Sequence, residues 1–192
     1  MKKIEIFLIE CLELEGDRRE IVLFGVNQFI TMSISFVSMI VISLIMGDLE
    51  RGIILLGLFI PLRRVAGGYH AKTKTKCFII SNILFSFFLA ASISLATFHT
   101  AMIIVSILLA LLVYLLAPVD SENKRLSDMK KRKMKTNTFK ILVTETFFIL
   151  IIAIYLFHHV ISLMFFSLLM VFTLQIVAVI KEKLITEENV KI

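Results

Sequence analysis

Six apolar stretches separated by short charged segments constrain this chain more than any other feature: 21–46, 49–62, 78–98, 101–118, 138–157 and 160–180. A helix needs about 20 mostly apolar residues to cross a hydrocarbon core, and five of the six runs are long enough. The second is the weak one, with ten uninterrupted apolar residues from Ile53 to Leu62, a length that suits a re-entrant segment nearly as well. Of the 192 residues 58% are apolar, and the mean hydropathy of +0.93 argues against a soluble globule. The expectation is one all-α, polytopic membrane domain over residues 1–192, with about six transmembrane or re-entrant helices and no room for a separate soluble domain.

Residues 1–20 carry Glu5, Glu10, Glu13 and Glu15 and cannot cross. Ile4, Phe7, Leu8, Cys11 and Leu12 share a helical stripe, with Lys2, Glu5, Glu13 and Asp17 mostly opposite, the pattern of an amphipathic helix lying in the interface. Cys11 is then an apolar filler. Two cysteines give no disulfide framework, and nothing at the start reads as a cleavable signal peptide.

The basic residues fix an orientation. If all six runs cross with the N-terminus inside, 20 of the 21 lysines and arginines fall on inner segments and only Arg51 falls outside. Failure of the second run to cross strands Lys2, Lys3, Arg18 and Arg19 outside, a poorer fit to the positive-inside rule. Both termini are therefore expected on the cytoplasmic side of the membrane. The formal charge of +6 follows from this topology. The run Lys130, Lys131, Arg132, Lys133, Lys135, expected in a loop between spans, reads as a topology determinant attracted to anionic lipid, or as a site for an acidic peptide. Without interleaved aromatics it does not read as a nucleic-acid site.

Polar residues inside the runs cost free energy unless they face a partner or a cavity. Asn27, Gln28, Asn82, Glu145 and Gln175 all fall in the inner half on this topology. They either line a polar cavity open to the cytoplasm or simply sit near an interface, and Glu145 is deep enough to want a partner. His99, His158 and His159 fall at the outer interface and read as interfacial residues. No metal or cofactor is expected.

Chemistry concentrates in Pro61-Leu-Arg-Arg-Val-Ala-Gly-Gly-Tyr-His70-Ala-Lys-Thr-Lys-Thr-Lys-Cys77, which holds the only Cys and His close together. A cysteine attacks as thiolate, a form favoured by a neighbouring imidazole, by lysines and by a helix N-terminus. His70, Lys72, Lys74 and Lys76, and a third helix beginning at Phe78, offer all three. On a continuous helix His70 and Cys77 would stand about 10.5 Å apart, too far for proton transfer. The segment must bend, which Gly67 and Gly68 permit. Backbone amides with Ser81 or Asn82 are then candidates for an oxyanion site. The competing reading is a structural free cysteine at a span boundary beside an incidental histidine.

The run Arg63-Arg64-Val-Ala-Gly67-Gly68-Tyr69-His70-Ala71 followed by Cys77, and the later Ala117-Pro118-Val119-Asp120 with Asn123 and Lys124, resemble the accessory gene regulator protein B family of Gram-positive quorum sensing, over essentially the whole chain. The resemblance implies a membrane cysteine endopeptidase that removes the C-terminal tail of an autoinducing-peptide precursor and cyclises the remainder to a thiolactone or lactone. It implies Cys77 as nucleophile and His70 as its base, with Arg63, Arg64, Gly67 and Gly68 supporting the loop. It also implies a precursor with an amphipathic leader and an acidic tail, and a homodimer. Arg63, Arg64, Lys130, Lys131, Arg132 and Lys133 are the candidates for holding that tail. Glu145 or Asp120 is the candidate acid orienting His70, the competing reading of Asp120 being a cap or an ordinary interfacial charge. A peptide exporter without proteolytic activity is the rival expectation.

Overall fold

The computed structural model describes residues 16–69, 71, 73–95, 99–119, 127–155 and 159–190. Its regular elements are helices alone: α1 (Gly16–Ile45), α2 (Leu49–Ala66), α3 (Lys74–Ser94), α4 (His99–Leu116), α5 (Asp128–Tyr155) and α6 (His159–Val190). By length and composition three stretches can cross a bilayer, Ile21–Ile45, Thr75–Ser94 and Val160–Leu184, and Ala101–Leu116 is a shorter apolar helix. The chain is thus an all-α membrane protein.

The hydrophobic runs locate the helices but not their ends. Residues 1–15 of the expected amphipathic helix lie outside the described residues, while 16–20 already belong to α1. The second helix runs on past Leu62 and carries Arg63 and Arg64 in its last turn. The third begins at Lys74, not Phe78. The basic run at 130–135, expected in a loop, forms the first turns of α5. The sixth helix continues past Ile180 to Val190. Lys, Glu and Arg are good helix formers, so charge ends a membrane span without ending the helix.

Two compact units divide the chain, residues 1–38 and 39–192, with the boundary inside α1. In the first, hydroxyls bond back along the helix, Thr31 Oγ1 to the Asn27 carbonyl at 2.8 Å and Ser35 Oγ to the Thr31 carbonyl at 3.0 Å, which satisfies them where hydrocarbon offers no partner.

In the second unit α6 is central. It packs against α2, α3, α4 and α5 and buries Leu163, Phe166, Leu168, Met170 and Val171, residues that circle the helix rather than line one stripe. The other helices present stripes. In α2 Leu55, Phe59, Leu62 and Ala66 are buried at spacings of four, three and four, one face of an α-helix. In α4 Met102, Ser106, Leu109 and Val113 repeat that pattern, and the opposite face, Ile104, Ile107, Leu108, Leu111 and Leu115, is exposed, as suits a lipid-facing surface.

The hairpin between α1 and α2 turns at Gly47, with φ +75. Asp48 caps α2, accepting from the Arg51 N–H at 3.1 Å. Close approach depends on Gly52, which is buried: a Cβ there would meet Ser43 Oγ at 2.0 Å and Ser43 Cβ at 2.4 Å. Although alanine gains about 1 kcal/mol in helix propensity over glycine, overpacking of this kind costs about 1–3 kcal/mol. Gly52→Ala is therefore expected to lower the thermal unfolding midpoint in detergent, and Ser43→Gly in the same chain to recover much of the loss.

Candidate active site

The C-terminal end of α2 is held by an unusual density of backbone bonds. The helix stops because Gly67 takes φ 75, ψ −161, a region that is essentially glycine-only. From there Gly67 pairs with Val119 in an isolated parallel β-bridge, and the Val119 N–H donates to the Ala66 carbonyl at 3.1 Å. Gly68 follows at φ 124, where a Cβ would lie 3.0 Å from the Leu174 carbonyl oxygen. The Tyr69 N–H then donates to that same carbonyl at 2.8 Å. Two segments remote in sequence, Pro118–Val119 after α4 and Leu174–Gln175 within α6, thus clasp the Gly-Gly loop from either side. The bond between Ala117 and Pro118 is cis.

Arg63 closes the loop from within. Its Nη1 donates to the Gly67 carbonyl and its Nη2 to the Tyr69 carbonyl, a forked use of the guanidinium that lysine cannot reproduce. Burial pushes Arg63 down to about 10, partly offset by its charge interaction with Cys77. The guanidinium is still protonated at neutral pH. The Lys181 Nζ stands 5.4 Å from the centre of the Tyr69 ring, within cation–π range.

Cys77 approaches from α3. Thr73 caps that helix, its Oγ1 accepting from the Lys76 N–H at 3.3 Å, and the Cys77 N–H donates to the Thr73 carbonyl at 3.0 Å. The cysteine therefore sits inside the first turn rather than just before the helix, still within reach of its N-terminal field. It is a free thiol, half-buried. Ser81, four residues on, shares its helical face and is half-buried. Asn82 donates through Nδ2 to the Phe78 carbonyl at 2.8 Å, which commits one amide hydrogen to its own helix.

The fold thus gathers Arg63, Gly67 and Gly68 into one clasped loop, sets Cys77 in the first turn of the next helix, and joins the two sequence motifs through the bridge at Val119. His70 and Asp120 lie outside the described residues. Arg64 is exposed, as are Lys130, Arg132 and Lys133 on α5, with Lys131 half-buried. Glu145 lies farther along α5, its Oε1 buried with no hydrogen-bond partner among the described residues. Among the described residues no group of His, Cys, Asp and Glu could hold a metal ion.

From the sequence Gln175 reads as one of the polar residues that either line an inward-facing cavity or sit near an interface. It is fully buried, and its Nε2 donates to the Ala66 carbonyl at 3.2 Å and the Val113 carbonyl at 3.3 Å. Tyr69 and Val119 take part through their backbone, which no side-chain pattern could disclose.

Comparison with known proteins agrees with the motifs. The family model described as Accessory gene regulator B matches residues 1–179. AgrB-like protein 2 of Clostridium perfringens (strain 13 / Type A) is 28% identical over 158 residues, covering 77% of this chain and 72% of the relative. An AgrB-like protein of Clostridium perfringens (strain SM101 / Type A) is 29% identical over 156 residues, with the same shares covered. No solved structure matches.

Proposed function

The chain belongs to the accessory gene regulator B family, which acts in the processing of autoinducing peptides, and on that premise we propose that it is a cysteine endopeptidase and cyclase for a membrane-bound peptide precursor. The observation that carries this reading is the clasped Gly-Gly loop, held from within by the Arg63 fork, which ends one residue before His70 and leads on to the helix that carries Cys77.

In the first half-reaction His70 takes the thiol proton and Cys77 Sγ attacks the carbonyl preceding the precursor's C-terminal tail. An S–C bond forms, the C–N bond breaks, and the tail leaves as an amine after receiving the proton from His70. The acyl group remains on Cys77 as a thioester. In the second, a Cys or Ser side chain within the same precursor attacks that thioester, closes a thiolactone or lactone and frees the Cys77 thiol. Water has to be excluded, because hydrolysis would yield a linear product. A site where α2 and α3 leave the cytoplasmic side of the bilayer suits that demand.

On this reading six crossings put both termini and the site on the cytoplasmic side of a homodimer's membrane, as the basic residues suggest. The precursor's amphipathic leader lies in the same leaflet. Its acidic tail meets Arg64 and the first turns of α5, while Arg63 is occupied by the loop. Reversing Lys130, Lys131, Arg132 and Lys133 to Glu is expected to raise KM about tenfold and to lower kcat less than about threefold, because the tail is bound alike in ground and transition states. Steady-state rates in proteoliposomes at two salt concentrations check this; unchanged KM would contradict it.

Co-expression with a doubly tagged precursor tests the function itself. A shortened species that keeps the N-terminal tag and loses the C-terminal one is expected. Export of the intact precursor without shortening would instead make the chain a transporter.

A further inference from the structure

We propose that Gln175 is a positioning residue of the reaction: its buried amide sets the register of α6 against the ends of α2 and α4, and so fixes the pose in which the Gly67–Tyr69 loop delivers residue 70. The inference rests on the Cys77 and His70 reading and adds a residue to it.

Gln175 is not needed to satisfy its neighbours. Its two acceptors are already served, since the Ala66 carbonyl receives the Val119 N–H at 3.1 Å and the Val113 carbonyl receives the Ala117 N–H at 3.0 Å. Removal of the side chain orphans neither of them. The amide itself is left incomplete, with Oε1 buried and without a hydrogen-bond partner among the described residues. A buried polar atom without a partner is unfavourable, so an unbranched apolar side chain would serve stability as well or better. What an apolar side chain cannot supply is direction. A single amide in an apolar helix interface selects one register among several that pack equally well.

That register matters because the neighbour of Gln175, Leu174, accepts the Tyr69 N–H at 2.8 Å. Side chain and main chain of two consecutive residues on α6 therefore hold the two ends of the Gly67–Gly68 loop, Ala66 on one side and Tyr69 on the other. A shift of α6 by one position would move both anchors at once. Catalytic groups tolerate little displacement; about 1 Å can cost about 100-fold in rate.

The test uses the full chain in proteoliposomes of anionic lipid, with Cys11→Ser so that Cys77 is the single thiol, and iodoacetamide as the probe of Cys77. Gln175→Met is expected to keep its unfolding midpoint within a few degrees of the parent and to speed deuterium exchange over 67–69 at least about tenfold. Alkylation of Cys77 in that variant should slow to the rate found with His70→Ala. Gln175→Glu, which when protonated retains one donor in nearly the same shape, is expected to recover part of both effects. Unchanged exchange over 67–69 in Gln175→Met overturns the proposal whatever Cys77 does. So does faster exchange throughout the helices, which would give Gln175 a role in general stability only, and so does alkylation at the parent's rate while His70→Ala is slow. If exchange over 67–69 rises but His70→Ala alkylates like the parent, Gln175 does hold the loop and the Cys77 and His70 reading is what fails.

Discussion

Cys77→Ala is expected to abolish precursor shortening, with the initial rate falling by at least about 10³-fold, because the step that breaks the peptide bond has no attacking atom. Cys77→Ser should fare little better: a hydroxyl is a far poorer nucleophile than a thiol at neutral pH, and an oxygen ester lacks the reactivity that lets the precursor's own side chain close the ring. Neither substitution disturbs the fold's supports. The Cys77 N–H bond to the Thr73 carbonyl belongs to the backbone, and the side chain is only half-buried. Initial rates with a tagged precursor, alongside thermal unfolding midpoints, separate lost chemistry from lost structure. A Cys77→Ala variant retaining a tenth or more of the rate would remove the nucleophile from this site.

The second large effect belongs to Gly67. At φ 75, ψ −161 a side chain is strained by about 1–3 kcal/mol. A Cβ would also stand 2.4 Å from the Val119 carbonyl oxygen and 2.9 Å from its nitrogen. Both contacts are with backbone, so no rotamer can relieve them. Gly67→Ala must either break the bridge to Val119 or displace the end of α2, and the loop that carries residue 70 moves with it. Turnover is expected to fall at least about 100-fold while the unfolding midpoint drops by only a few degrees, since the core of α2 lies upstream. Gly57 supplies the control: it is helical, with nothing within 4 Å of a Cβ, so Gly57→Ala is expected to leave the rate unchanged. Near-parental turnover in Gly67→Ala would show that the bridge is dispensable.

How much of this could be read from residues alone depended on the range of the interaction. Apolar runs located the six helices of the described residues because a long apolar helix is a local, contiguous signal. Their ends were missed where charged but helix-forming residues extend them, at Lys74–Lys76 and across 128–137. The Cys77 segment stood out because Gly67, Gly68, His70 and Cys77 are neighbours in sequence. The clasp around it did not. Val119 is about fifty residues from Gly67 and Gln175 is 109 from Ala66, and the bonds that unite them are largely main-chain, indifferent to side-chain identity. The motif at Ala117-Pro118-Val119 had no physical meaning until the bridge to Gly67 gave it one. Arg63, read both as a support of the loop through the family resemblance and as a candidate for holding the tail, spends its fork on the loop's own carbonyls, a geometry that its charge alone could not foretell.

The acyl-enzyme is the heart of the account, and intact-mass analysis addresses it directly. The chain is incubated with a precursor whose ring-forming Cys or Ser has been replaced by Ala, so that the thioester cannot be discharged by cyclisation. A covalent adduct equal in mass to the precursor lacking its tail is expected on Cys77, released by neutral hydroxylamine. A shortened precursor with no adduct on Cys77, or an adduct mapped to another residue, would contradict it.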